Sequence, residues 1–212
     1  MIVIDLRLRV EHGATISQKG KTMRNSKCMM IAAGLVTSLL LWAPVALADD
    51  TVCRGVLGQV TVVNLIVPDG STCTLNGTRV EGNIHVGRGA TLKAKGVDVD
   101  GNIQAEGARS VNVVVLYGVR SFVGGNIQIK KGGTALIDRV DIREDLQFEE
   151  NRGPVSAKGN EIGGNLQAYK NTGGVSIVKN HIAENLQCFD NNPAPTGSGN
   201  TAGDKDGQCE SL

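Results

Sequence analysis

The chain has 212 residues, of which 28 are glycine and only six are aromatic, and it carries 22 Lys and Arg against 21 Asp and Glu. One domain of ordinary size fits that length. The near-neutral charge gives no reason to expect nucleic acid as a partner, because no basic stripe stands out in the sequence. Too few large side chains are present to fill a helical bundle or a sandwich core.

The first element is not part of the fold. Lys21, Arg24 and Lys27 form a basic segment, Cys28 to Leu41 is an almost unbroken apolar run, and Ala46-Leu47-Ala48 supplies the small residues of a signal-peptidase site. Residues 1–48 are therefore expected to be an upstream extension and cleaved signal peptide, with Met23 an alternative start. Residues 49–212 form the mature domain, secreted or periplasmic, with no membrane segment after cleavage. That domain holds 16 Lys and Arg against 19 Asp and Glu, a net charge of −3 with His neutral.

Four cysteines follow the leader: Cys53, Cys73, Cys188 and Cys209. An even number in an exported chain reads as two disulfides. The separations of 20 and 21 residues match the repeat described next, and residues one coil apart in a stacked parallel sheet lie about 4.8 Å from each other. The spacing predicts Cys53–Cys73 and Cys188–Cys209, one staple at each end of the domain.

Between the cysteines one phrase returns six times. It reads Gly82-Asn83-Ile84-His85, Gly101-Asn102-Ile103-Gln104, Gly125-Asn126-Ile127-Gln128, Glu144-Asp145-Leu146-Gln147, Gly164-Asn165-Leu166-Gln167 and Glu184-Asn185-Leu186-Gln187. The steps are 19, 24, 19, 20 and 20 residues. Self-similarity at this period marks a solenoid. Each coil holds about three short strand-like pieces, the first full set being 83–86, 90–94 and 96–100. Period-two alternation sends Ile84 and Val86, and their equivalents in every coil, to the interior. The Asn column turns a corner or faces out. His85, Gln104, Gln128, Gln147, Gln167 and Gln187 face out and can bond along the stack. Asn160, Asn180 and Asn200 mark a second corner.

Three stretches depart from the pattern. Val60 to Val67 supplies at least one capping coil before the phrases. The longer coil places its extra residues within Val111–Val119, as a bulge or a projecting apolar loop. Beyond Phe189, residues 190–207 lose the apolar columns and read as a mostly irregular final coil. The fold expected is all-β, a single-stranded, right-handed parallel β-helix of about seven coils of 19–24 residues, with stapled ends.

The early Cys-x-Gly, the Val67-Pro68-Asp69-Gly70-Ser71-Thr72-Cys73 segment, the repeated Gly-Asn-Ile/Leu-Gln and the closing Asn-x-Leu-Gln-Cys resemble small exported bacterial β-solenoid proteins of unassigned function. The coils also resemble bactofilins, which are polymerising β-helices. This chain differs from them in its signal peptide and cysteines. Neither resemblance implies a catalytic residue.

Chemistry, if present, has few places to reside. Carboxylates are densest at Asp138, Asp141, Glu144, Asp145, Glu149 and Glu150, where they could bind a hard cation or work as a pair on a glycosidic bond. A solvated acidic face with Arg139 and Arg143 interleaved is the plainer reading. His85 and His181 lie about five coils apart and cannot share a metal, and no Ser-His-Asp or Cys-His set can be assembled. No metal or cofactor is expected. The candidate binding residues are Gln104, Gln128, Gln147, Gln167, Gln187, Asp145, Glu149 and Glu150. The expected function is that of an exported, non-enzymatic module that is structural or contacts a polysaccharide or cell-surface component. The alternatives are a polysaccharide-active enzyme using carboxylates near Glu149, and self-association through a solenoid end or the Val113–Val119 segment.

Overall fold

A computed structural model describes residues 50–212, so the leader and its cleavage site lie outside the described residues. The chain winds as an all-β solenoid of 24 strands, stacked into three parallel sheets of nine, eight and seven strands. Sheet I starts with Asp50–Val52 and Asn64–Val67, sheet II with Val56–Leu57 and Thr72–Asn76, and sheet III with Thr61–Val62 and Arg79–Val80. One strand in each sheet makes one turn. The stack has about eight turns, and Asp204–Gly207 adds a further strand to sheet I beyond them. Two turns precede the first Gly-Asn-Ile phrase, within the at least one that the repeat pattern indicates, which makes the total about eight rather than about seven. The turn from Asp50 to Val62 lacks the phrase, and the next has only the partial match Val63-Asn64-Leu65-Ile66.

Register follows the sequence repeat. Ile84, Ile103, Ile127, Leu146, Leu166 and Leu186 pair in order along sheet I, all fully buried. The second inward column is Val86, Ala105, Ile129, Phe148, Ala168 and Cys188. Sheet II adds Leu92, Ala94, Val111, Val113, Ala135, Ile137, Val155, Ala157, Val175 and Ile177. Since the interior is only one side chain deep from each sheet, Val, Ile, Leu and Ala fill it, and Phe148 is the one large aromatic it takes.

The corners are built by amide ladders. Between sheets III and I, each Oδ1 in the column Asn64, Asn83, Asn102, Asn126, Asp145 and Asn165 accepts the backbone N–H of the next member, the last donor being Asn185, at 2.7–3.1 Å. The phrase glycine sits over this ladder. A Cβ on Gly125 would lie 2.5 Å from Asn102 Oδ1, which is closer than a carbon can approach. Where Glu144 and Glu184 replace that glycine, their carboxylates accept the Nδ2 of Asn126 and Asn165 at 2.6 and 2.7 Å.

Two further ladders are buried. Asn160, Asn180 and Asn200 turn the corner from sheet II to sheet III, and Asn151, Asn171 and Asn191 turn the corner from sheet I to sheet II. In each, Nδ2 donates to a backbone carbonyl below and to the next amide oxygen above, except that Asn200 at the top of its ladder donates only to the Ile177 carbonyl. Just before the Asn151 ladder the backbone turns left-handed, through Gly70, Gly89 and Gly107 and then through Lys131, Glu150, Lys170 and Asp190 at φ between 52° and 57°. Non-glycine residues there carry a local cost of about 1–2 kcal/mol each, which the buried amides beside them offset.

The staples are Cys53–Cys73 and Cys188–Cys209, with Cα separations of 5.5 and 5.3 Å. They are set diagonally rather than across the register, since Cys188 pairs in the sheet with Gly207, two residues before Cys209. The long turn keeps Ser110–Val114 in sheet II and spends its extra residues on a hairpin. Leu116 and Val119 exchange two backbone hydrogen bonds, at 2.9 and 2.8 Å, around Tyr117-Gly118. Tyr117 stands 98% exposed and Val119 62%, so the apolar loop projects and is not covered. The final stretch is more regular than its composition suggested. Thr196–Ser198 joins sheet II and Asp204–Gly207 joins sheet I. Gly197 occupies the position beside Ile177, and a Cβ there would sit 1.7 Å from the Ile177 carbonyl oxygen. The last turn therefore closes tightly over the core with backbone, Cys209 and Leu212, which removes the need for apolar columns.

Candidate functional site

The outward face of sheet I collects most of the candidate residues. Its first column runs Ile66, His85, Gln104, Gln128, Gln147, Gln167, Gln187 and Asp206 in direct register. The upper half of the column is a bonded ladder. Gln147 Nε2 donates to Gln167 Oε1 at 3.0 Å, Gln167 Nε2 to Gln187 Oε1 at 2.9 Å, and Gln187 Nε2 to Asp206 Oδ2 at 3.3 Å. In the lower half, Gln104 and Gln128 make no side-chain hydrogen bond among the described residues. They line, with Ile66, Pro68, His85 and Lys130, a depression of mixed polar and apolar character and about 480 Å³.

A second outward column is not marked by the repeated phrase. Glu106, Lys130, Glu149, Tyr169 and Phe189 stand in register, so charge alternates rung by rung before giving way to two stacked rings. In the turns below, Pro68 and Gly87 follow the register of this column, and beside them Arg88 donates its backbone N–H to Asp69 Oδ1 at 2.8 Å. Beside this column, the left-handed corner residues Lys131, Glu150, Lys170 and Asp190 alternate as well. Like charges about 4.8 Å apart would repel, and alternation converts that repulsion to attraction. The signal was available in residues 19–24 apart, but seeing it needs the register.

Lys130 Nζ lies 2.9 Å from Glu149 Oε2, and Lys131 Nζ lies 3.2 Å from Glu106 Oε1. The Lys130 ammonium holds the Glu149 carboxyl below the usual carboxylate range. That is the opposite direction from the one a general acid needs at neutral pH. Glu106, hydrogen-bonded to Lys131, raises the lysine, with Glu150 and Glu149 adding to the effect, so the amine stays cationic. Burial, with Asp206 nearby, pushes the Tyr169 phenol up, and its OH donates to Gln187 Oε1 at 3.2 Å. Tyr169 and Phe189 stack face to face, centroids 5.8 Å apart and planes within 6°. Phe189 also lies against Gly207, while remaining 41% exposed.

The remaining carboxylates do not converge. Asp145 is a rung of the corner ladder, its Oδ1 accepting from Asn165 N at 2.7 Å and Nδ2 at 3.2 Å. Glu150 belongs to the left-handed corner on the opposite edge of sheet I. Asp138 ends a strand of sheet II and pairs with Arg139, while Asp141 lies on sheet III with Arg120 at 2.6 Å. Among the described residues no three of His, Cys, Asp and Glu are placed to hold a metal ion. His85 sits in the amide column as its spacing indicated, and His181 is on sheet III, its Nδ1 2.7 Å from Thr201 Oγ1.

One grouping crosses the edge of sheet I. Arg88, Glu106, Lys131 and Arg152 surround a recess of about 270 Å³ floored by Gly107, and Glu106 also lines the larger depression. Comparison with known proteins finds no matching family model, no matching curated protein and no matching solved structure.

Proposed function

We propose that this β-solenoid is an exported, non-enzymatic module that contacts a hydroxyl-rich polymer through the outward face of sheet I. The observation that carries the reading is the amide column, in which Gln147, Gln167 and Gln187 bond to one another while Gln104 and Gln128 beside them keep their donors and acceptors free. Each free amide offers two donors and two acceptor lone pairs at a spacing of about 4.8 Å, set by rigid strands rather than loops. Sugar hydroxyls, which both donate and accept, suit such a row. Rigid placement lowers the entropy lost on binding.

Export rests on the basic, apolar and small-residue leader and on the two cystine staples, which persist in oxidising compartments. A bacterial envelope or extracellular setting and kinship with exported β-solenoids belong to the same proposal. A polysaccharide-active enzyme is the weaker reading, because Glu149 is held ionised by Lys130 and its neighbouring carboxylates point to other faces. The test is retention of the purified protein on a panel of insoluble polysaccharides, compared with Gln104→Ala/Gln128→Ala. Wild-type retention reduced at least about tenfold in the double variant supports the assignment. Equal retention, or none on any polymer, refutes it.

A further inference from the structure

We infer that the recess at the edge between sheets I and II binds the acidic groups of an anionic polysaccharide, extending the amide face into a mixed site. This rests on the sheet I reading for the sugar hydroxyls and adds a separate anion site beside it. Three cations and one carboxylate surround the recess. Glu149 and Glu150 act on Lys131 from the flanking rung and Asp69 lies beside Arg88, so the charge left without an ion-pair partner at the recess is that of Arg88 and Arg152.

Only one of the three cations is committed. Lys131 pairs with Glu106 at 3.2 Å, whereas the Arg88 and Arg152 guanidinium groups make no hydrogen bond or ion pair among the described residues. A guanidinium presents a planar fork that matches a carboxylate or sulfate with two parallel bonds. Arg88 is placed by its stem, whose Cγ packs over Gly107, where an added Cβ would come within 3.3 Å. Arg88 belongs to the third turn, Lys131 to the fifth and Arg152 to the sixth, which spaces them by about 10 Å and about 5 Å along the axis. Positive charge is thus sparse and interrupted by Glu106. It suits a chain with roughly one charge per sugar better than a nucleic acid, whose backbone carries one charge per about 1.7 Å of duplex axis. Gln104 and Gln128 in the adjoining depression then meet the hydroxyls of the same chain.

The experiment measures binding of the full purified protein to polygalacturonate, dextran sulfate, neutral dextran and duplex DNA at low and moderate salt. Its variants are Arg88→Gln/Arg152→Gln, which keeps the stem lengths close, and Gln104→Ala/Gln128→Ala, each checked for an unchanged melting temperature. The inference expects polygalacturonate or dextran sulfate to bind more tightly than dextran, with affinity falling as salt rises. The arginine variant should lose at least about tenfold on the anionic polymers and nothing on dextran. Preference for polygalacturonate would identify carboxylate as the anion, and preference for dextran sulfate would identify sulfate. Anionic and neutral polymers binding alike, or an arginine variant that binds like wild type, would overturn the anion site while leaving the amide face standing. Loss of dextran binding in the glutamine variant alone tests that face independently. DNA bound as tightly as the anionic glycans would overturn the assignment to polysaccharide.

Discussion

Asn171 and Asp145 occupy ladder positions of different character, and the contrast fixes what each side chain contributes. Asn171 is fully buried and makes bonds to the Phe148 carbonyl, to Asn191 and to the Asn151 backbone N–H. Replacing it with Ala strands several buried groups at once, each costing about 1–3 kcal/mol. Asn171→Ala is expected to lower unfolding stability by more than about 3 kcal/mol in urea titration. Asp145 stands in a half-exposed ladder whose other members are all Asn, so it accepts from Asn165 but cannot donate a side-chain N–H to Asn126 Oδ1. Asp145→Asn should restore that donor and raise stability by up to about 1 kcal/mol. A loss of more than that would show that the charge itself is required. Asp145 was legible in the sequence as the one interrupted rung, but its carboxylate suggested chemistry where the structure gives it a structural bond. The buried Asn151 ladder was missed because Asn151, Asn171 and Asn191 lie between the apolar pieces, where an Asn reads as any loop residue.

At the scale of the element, each strand is legible wherever a core column passes through it. The pieces 83–86 and 90–94 correspond to strands Ile84–Val86 and Thr91–Lys95, because inward Ile, Val, Leu and Ala alternate with polar residues. Elements that do not build the core are less visible. The last turn reads as irregular because residues 190–207 lose the apolar columns, yet at Gly197 only a glycine fits so close to the Ile177 carbonyl. The extra residues of the long turn form a hairpin that adds no buried side chain at its tip, Tyr117 being 98% exposed. Deleting Val115 to Val119 shortens the 24-residue step to 19, keeps the Arg120–Asp141 pair, and should change stability by no more than about 1 kcal/mol. Thermal unfolding that drops far beyond that would mean the hairpin braces the stack. An intact fold with lost polymer or partner binding would instead give the exposed Tyr117 a role in contact.

Across the whole molecule, stability is expected to be a sum over turns and their neighbours, with the ends weakest. The outermost strands of each sheet have one unpaired edge, and the two cystines tie the turns nearest those edges. Each closes a loop worth roughly 3 kcal/mol in the chain-entropy model. Reduction should therefore remove amide hydrogen-exchange protection from the first two turns and the last, while Ile103, Ile127 and Leu146 in the middle stay protected. Simultaneous loss of protection everywhere would replace this additive picture with a single cooperative unit. The global architecture was the most legible level, since one repeated phrase sets period, core and register together. The surface was the least legible, because the charge alternation of Glu106, Lys130 and Glu149 and the gathering of Arg88, Lys131 and Arg152 exist only once the turns are stacked.

On the function proposed above, the molecule holds a polymer on sheet I without cutting it. Incubation of the purified protein with soluble polysaccharides, scored for both bound polymer and new reducing ends, tests this most directly. Binding with no increase in reducing ends over buffer is the predicted result, unchanged in kind by Glu149→Gln. Reducing ends that accumulate with the wild-type protein and vanish with Glu149→Gln would overturn binding without cleavage and make the Lys130–Glu149 pair part of an active site.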